Sequence, residues 1–331
     1  MPAPMLLVLA AGLGRRFGGL KQLEPMGSRG ETLLDYAVFD AQRAGFERVV
    51  FVVSPPMLEA FQARVQARFG RQLQVECVDQ RVDDLPPGTY APSARKRPWG
   101  TLHALLAARE RLTQPFAVIN ADDFYGREAY QLMATWLTAV DTLADPHRCC
   151  LVAYRLDHTL SGSGGVNRGI VQCQGDRLLS VQEHREIVAE APAGQELKRV
   201  DAERATDAEP AIACSGLRLD GRRVPLAGDA VASMNFWGFS PGLVRGLQQH
   251  FAEFLHAQGH DPEAECYIPS AVDALLRTGQ AACTLLPTRA QWFGVTHALD
   301  KPAVVARLQG LIGDGTYPAP LWPCHTEEPC P

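Results

Sequence analysis

Two groups of residues in this chain have the types and spacing to do chemistry. The first is a glycine-rich loop, Gly12-Leu13-Gly14-Arg15-Arg16-Phe17-Gly18-Gly19-Leu20-Lys21, which follows the apolar run Leu6-Leu7-Val8-Leu9-Ala10-Ala11. Glycines let a ligand approach the main chain, and successive N–H groups in such a loop form a concavity for anions. Arg16 and Lys21 add full positive charges, a combination suited to a triphosphate. The second group is Asp122-Asp123, placed where the apolar run Phe116-Ala117-Val118-Ile119 ends. Adjacent like charges there gain nothing from packing and suggest a cation. Hard carboxylate oxygens suit Mg²⁺, which commonly binds through one or two carboxylates together with substrate phosphates. In the competing reading Asp123 caps the helix that follows Gly126, leaving Asp122 as the ligand.

The glycine loop is neither of two better-known phosphate motifs. No Gly-Lys-Ser/Thr follows at P-loop spacing. A dinucleotide fingerprint would need a third glycine at Phe17 and an acidic residue closing the next strand, which instead ends Val52-Val53-Ser54.

The elements that must position these groups follow from periodicity. A helix is expected over Glu31–Ala44, a buried strand over Val49–Val53, a helix over Met57–Phe69 and a strand over Leu73–Val78. This β-α-β-α-β alternation predicts a parallel sheet covered by helices. Trp99-Gly100-Thr101-Leu102-His103 opens a further helix to about Leu112, with Gly100 and Thr101 at the carboxyl edge, where doubly wound sheets bind ligands. His103 is read as a helix-start histidine bonded to nearby backbone, not as a catalytic group. Later come a strand over Leu151–Leu156, a hairpin turning at Gln174-Gly175-Asp176, and a strand over Met234–Phe239. Helices over Gly242–Ala257 and Tyr267–Arg277, a strand over Ala282–Leu286 and a last helix over Lys301–Leu311 complete the order.

With 331 residues and 46% hydrophobic content, the chain suits one large α/β domain with insertions, or two domains. A net charge of −5 gives no electrostatic reason for a nucleic-acid partner. No run approaches the roughly 20 apolar residues of a membrane helix. The first residues have no signal-peptide pattern, and the nine cysteines read as reduced thiols of a cytoplasmic protein. Cys324, His325 and Cys330 have no Cys-x-x-Cys to support a metal site.

Taken together, Leu-Ala-Ala-Gly-Leu-Gly-Arg-Arg-Phe with Lys21, Gly100-Thr101-x-His103-Ala104, and Asn120-Ala121-Asp122-Asp123 resemble the nucleotidyltransferase family of sugar-1-phosphate pyrophosphorylases. Arg15 stands where that family has Thr, and Leu20 where it has Pro. The resemblance implies an α/β, three-layer α-β-α fold with a mainly parallel doubly wound sheet, GT-A-like, and a β-hairpin insertion. It implies one domain over 1–316. Within it, 6–126 would form the nucleotide-binding half and 127–316 the acceptor-binding half, with a surface insertion at about 186–230; 317–331 would be a proline-rich tail. The implied reaction is Mg²⁺-dependent transfer of NMP from an NTP to a sugar 1-phosphate. Ala10, Ala11, Gly12, Gly14, Arg15, Gly100 and Thr101 would bind nucleotide, and Arg16, Lys21 and Asp122 would carry catalysis. Gly169, Glu183 and Asn235 would bind the acceptor. His184 stands where the family has a phosphate-binding Lys, and Arg185 is the neighbouring substitute. Asp122 and Asp300 would hold the metal, Asp300 having the capping of the last helix as its competing role.

Three rival readings differ in outcome. A cytidylyltransferase or molybdopterin-type guanylyltransferase would share the loop but use a non-sugar acceptor. A glycosyltransferase that retains the same fold would use a nucleotide sugar and release no pyrophosphate. A nucleotide-sensing module would bind NTP without turnover.

Overall fold

The computed structural model describes residues 3–12, 24–141, 144–161, 164–190, 212–218, 220–295 and 298–322. Its strands are β1 (Met5–Leu9), β2 (Arg48–Val53), β3 (Gln74–Asp79), β4 (Phe116–Asn120), β5 (Asp123–Phe124), β6 (Arg148–Arg155), β7 (Val166–Gln174), β8 (Arg177–Ala189), β9 (Cys214–Arg218), β10 (Arg223–Leu226), β11 (Val231–Phe239), β12 (Ala282–Pro287) and β13 (Phe293–Gly294). The helices are α1 (Leu33–Arg43), α2 (Leu58–Phe69), α3 (Thr101–Ala107), α4 (Arg127–Ala139), α5 (Leu243–Gln258), α6 (Ile268–Arg277) and α7 (Lys301–Gly313).

Apolar runs without alternation become strands buried on both faces. Successive β2 side chains point to opposite sides of the sheet. Val50 and Val52 join Leu7 against α3, α5 and α6. Val49, Phe51 and Val53 join Leu6 and Val8 against α1, α2 and α4. Helix α1 starts at a capping box: Asp35 N donates to Thr32 Oγ1 (3.2 Å) and Thr32 N donates to Asp35 Oδ2 (2.6 Å).

The large sheet runs β10-β9-β8-β12-β6-β11-β4-β1-β2-β3, with β7 pairing β11 and β8. Its first part, β4-β1-β2-β3, is parallel throughout. Beyond β4 the pattern changes, and in the described sheet seven antiparallel pairings stand against four parallel ones. The expectation of a mainly parallel sheet is therefore corrected to a mixed one. Strand β11 returns antiparallel between β4 and β6, and the short links β7–β8 and β9–β10 admit only antiparallel pairing.

The stretch 186–230 contributes β9, β10 and the end of β8 to this sheet, while 191–211 lie outside the described residues. Tyr317 and Leu321 are buried against α1, and the Tyr317 hydroxyl donates to Asp40 Oδ2 (2.5 Å). The seven described cysteines are free thiols. No described helix is long and apolar enough to cross a membrane.

Candidate active site

The chain runs β1, β2, β3 outward in one direction, then returns to place β4 on the other side of β1. Strand order thus reverses at β1, and in open α/β sheets ligands bind outside the carboxyl ends at such a point. Leu9 is in register with Asn120, Ala121 N donates to Leu9 O (3.1 Å), and Ala10 N donates to Val52 O (2.8 Å). Ala10, Ala11 and Gly12 therefore leave the sheet beside the segment carrying Asp122 and Asp123. Gly14, Arg15, Arg16 and Lys21 lie outside the described residues.

Gly100 is brought to the same edge by a polar clamp. Gln80 follows β3, and its N donates to Val53 O (2.8 Å). Its Nε2 donates to Gly100 O (3.2 Å) and to His103 Nδ1 (3.0 Å), and His103 Nε2 donates to Asp84 O (3.2 Å). Burial pushes the His103 imidazole down to about 4, so it is neutral at physiological pH. The backbone bonding expected of His103 is present, and its second partner, Gln80, was not visible in the local sequence. Gly100 has φ of 94°, and a Cβ there would meet Cys266 O at 2.5 Å, so only glycine fits. The Thr101 hydroxyl accepts from Ile268 N (3.1 Å), tying the start of α3 to α6.

The two adjacent acids are treated differently by the fold. Asp123 is buried in β5, where its Oδ2 accepts from Asn120 Nδ2 (2.8 Å) and lies 3.2 Å from the Tyr125 hydroxyl. It does not cap the following helix. The cap position of α4 belongs to Gly126, without a side-chain cap bond, because β5 turns Asp123 inward to pair with β13. Gly294 permits this close approach, since a Cβ there would lie 2.6 Å from Asp123 Oδ1. Asp122 is half-buried beside it. Asn235 Nδ2 donates to Asn120 Oδ1 (2.8 Å), extending the network to β11. Asn235 has φ of 63°, within the β11 irregularity between Ser233 and Trp237. Such left-handed backbone at a non-glycine residue concentrates at functional sites. Asp300 occupies the cap position of α7 but makes no capping bond, its backbone being helical there (φ −76°, ψ −22°) rather than extended, and its Oδ1 accepts from the Ser161 hydroxyl (3.2 Å).

The hairpin β7–β8 places Gly169 opposite Glu183, and Gly169 also faces Ser233 of β11. A Cβ on Gly169 would lie 3.7 Å from Glu183 Oε2, so the carboxylate sits over that glycine. Burial raises the Glu183 carboxyl above its ordinary range, opposed by the charges of Arg168 and Arg185. His184 is buried, with Nδ1 3.0 Å from Gln182 O. Arg185 is exposed.

Sequence reasoning assigned no role to Gln80, Tyr125 or Arg168, and named Asn120 only as part of the acidic motif. Asn120 and Gln80 carried a signal, each being a polar residue at the carboxyl end of a strand, buried in β4 and half-buried in β3. Tyr125 and Arg168 carried none, since their partners are remote in sequence.

No group of three or more metal-binding side chains lies among the described residues. Mg²⁺ held by one or two carboxylates and substrate phosphates does not require one. Asp122, half-buried where β4 ends and next to the inward-turned Asp123, has the donor chemistry for that mode.

The geometry gathers the described candidate residues at the switch point of an open α/β sheet, where such folds bind ligands. A family model described as the MobA-like NTP transferase domain matches residues 6–176, just over half of the 331. The chain belongs to this family, and it is a nucleotidyltransferase. No curated protein sequence matches the chain. Among solved structures it is similar to the inositol-1-phosphate CTP transferase from T. maritima. That match has a TM-score of 0.57 at 13% identity, covering 95% of this chain and 98% of the other. It is also similar to the UDP-glucose pyrophosphorylase from Acinetobacter baumanii, with a TM-score of 0.53 at 13% identity and 94% of both chains covered. These likenesses show a shared mixed α/β fold.

Proposed function

We propose that this chain transfers NMP from an NTP to a sugar 1-phosphate, giving an NDP-sugar and pyrophosphate. The observation that carries the reading is the meeting, at the β1/β4 switch point, of the glycine loop's start with the Asp122 segment. The acceptor's phosphate oxygen attacks the α-phosphorus; the new P–O bond forms as the bond to the leaving pyrophosphate breaks. Such transfers need positioning and charge neutralisation more than covalent chemistry.

Main chain around Ala10 to Gly14, with Arg15, holds the base and ribose, and Gly100 and Thr101 complete that pocket. Arg16 neutralises the leaving phosphates. Lys21 bridges the α-phosphate and the acceptor phosphate, where negative charge accumulates. Asp122 and Asp300 would hold Mg²⁺, which when bound neutralises charge on the phosphates. Glu183 over Gly169, together with Asn235, receives acceptor hydroxyls. Residues 1–316 act as one such domain, whose sheet the 186–230 stretch extends through β9 and β10 and against which Tyr317 and Leu321 anchor the start of the 317–331 tail. The reaction belongs to the cytoplasm, where NTPs are supplied.

A second reading keeps the chemistry and changes the acceptor. The MobA-like family description names an NTP transferase and no acceptor, which leaves cytidylyl or guanylyl transfer to a non-sugar phosphate open, and the T. maritima enzyme's name points to inositol 1-phosphate as a cyclic polyol acceptor. Pyrophosphate release should be measured for each NTP with Mg²⁺ across sugar 1-phosphates and inositol 1-phosphate. Release requiring one NTP and one sugar 1-phosphate supports the first reading, and release with inositol 1-phosphate alone supports the second. NTP binding with no release from any pair removes transfer to these acceptors and leaves an acceptor outside the panel or a binding module without turnover.

A further inference from the structure

We propose that Arg168 is the cation that receives the acceptor's phosphate, an assignment that rests on the transferase reading above. Arg168 lies in β7 beside Gly169 and is only 9% exposed. A buried guanidinium is costly unless an anion or a full set of acceptors faces it. Arg168 has neither. Among the described residues it makes no ion pair. Its Nε donates to Thr159 Oγ1 (3.3 Å), Nη1 to Asn167 O (2.8 Å) and Nη2 to Thr159 O (2.5 Å). Among the described residues those bonds use three of the five N–H groups of a guanidinium, leaving one on each Nη. Two N–H groups on neighbouring nitrogens match a phosphate's paired oxygens.

The side chain is also held firmly and in the right neighbourhood. Its guanidinium lies over the Trp292 ring, 4.6 Å from the centroid. Trp292 in turn lies against Gly294, where a Cβ would be 3.1 Å from Trp292 Cζ2 and 2.6 Å from Asp123 Oδ1. Arg168 is thus anchored between the Asp122–Asp123 segment and the hairpin carrying Glu183. The neighbouring candidates for the same task are less suited: His184 is buried with Nδ1 at Gln182 O, and Arg185 is exposed on the hairpin. Across the ladder Arg168 is the register partner of His184, so a cation is supplied from the facing strand.

The test uses the full chain with Arg168→Met, Arg168→Gln and Arg168→Lys. The expected result is a rise of roughly tenfold or more in acceptor KM for Met and Gln. NTP KM should stay within about twofold and Lys should recover part of the loss, as expected when a point charge replaces a fork. Should Arg168→Met fail to fold, Arg168→Gln, which keeps amide donors toward Thr159 without charge, carries the comparison. Inorganic phosphate is titrated calorimetrically onto the same proteins, with affinity expected to fall in the uncharged variants. Weakened phosphate binding in a chain that releases no pyrophosphate upholds the phosphate site and removes the transferase reading. Unchanged acceptor KM in a folded uncharged variant, a rise confined to NTP KM, or equal phosphate affinity in all proteins overturns the proposal.

Discussion

The two sides of the site differ in how their buried polar groups are satisfied. On the Gly100 side the protein supplies the partners itself. Gln80, His103 and Asp84 form a closed chain of hydrogen bonds. Arg95 donates to the carbonyls of Arg97, Pro98, Asp261, Pro262 and Ala264 while stacking on Trp99. On the acceptor side, Asn235 Oδ1 and Trp292 Nε1 are buried without a partner among the described residues, and Arg168 retains two unused N–H groups. Buried polar groups are normally paired. The first side is closed by the protein's own groups, and the second leaves polar groups that the proposed acceptor would meet.

Breaking the shared centre should have the largest effect. Lys21→Ala and Asp122→Asn should each lower turnover by roughly 10²–10³-fold in a folded protein, as loss of transition-state charge stabilisation does elsewhere. Steady-state pyrophosphate release checks this, and near-normal turnover would remove the residue from the mechanism. Next, Asn235→Ala should raise acceptor KM by about tenfold, the size of one or two lost hydrogen bonds, with NTP KM little changed. Asn235→Gly should show the same KM effect with less loss of thermal stability, because glycine accepts the left-handed backbone without strain. Equal rises in both KM values would erase the contrast between the two sides.

Arg95→Ala tests the other side. It should lower the thermal midpoint and raise NTP KM severalfold while leaving acceptor KM near normal, measured by calorimetry and initial rates.

The smallest effect concerns pH. His103 is pushed down to about 4 in the folded chain from an ordinary 6.5. Between those values the unfolded chain binds the extra proton, so stability is intact above pH 6.5 and falls as pH drops toward 4. The loss amounts to up to about 3 kcal/mol. Urea unfolding of wild type and His103→Phe across that range should show a shallower acid slope in the variant. Parallel slopes would mean that His103 is not held neutral.

Much of the nucleotide side was legible because its signals are local. The β-branched run Val49–Val53 became β2, and the glycine-flanked Thr101 opened α3. Asp122 fell at the end of β4 as the apolar run predicted. Strands β9 and β10 were missed because each is only four or five residues long and carries a residue unfavourable in strands, Gly216 in one and Pro225 in the other. They form because β8 offers an edge to pair with. Arg168 was passed over because an arginine in a strand reads as solvent-facing, and only Trp292 and Thr159 make its burial possible.

From the chain alone came the alternating elements, the glycine loop and the acids at a strand end, all set by backbone preference and hydrophobic periodicity within a few residues. Tertiary structure alone decided that the sheet is mixed. It also drew Asp123 into a network with Asn120, a network that Asn235 joins 115 residues away, and it buried Arg168 with two donors unused. Those outcomes depend on which strands become neighbours and which polar groups then face each other, and pairing between distant segments leaves no local pattern to read.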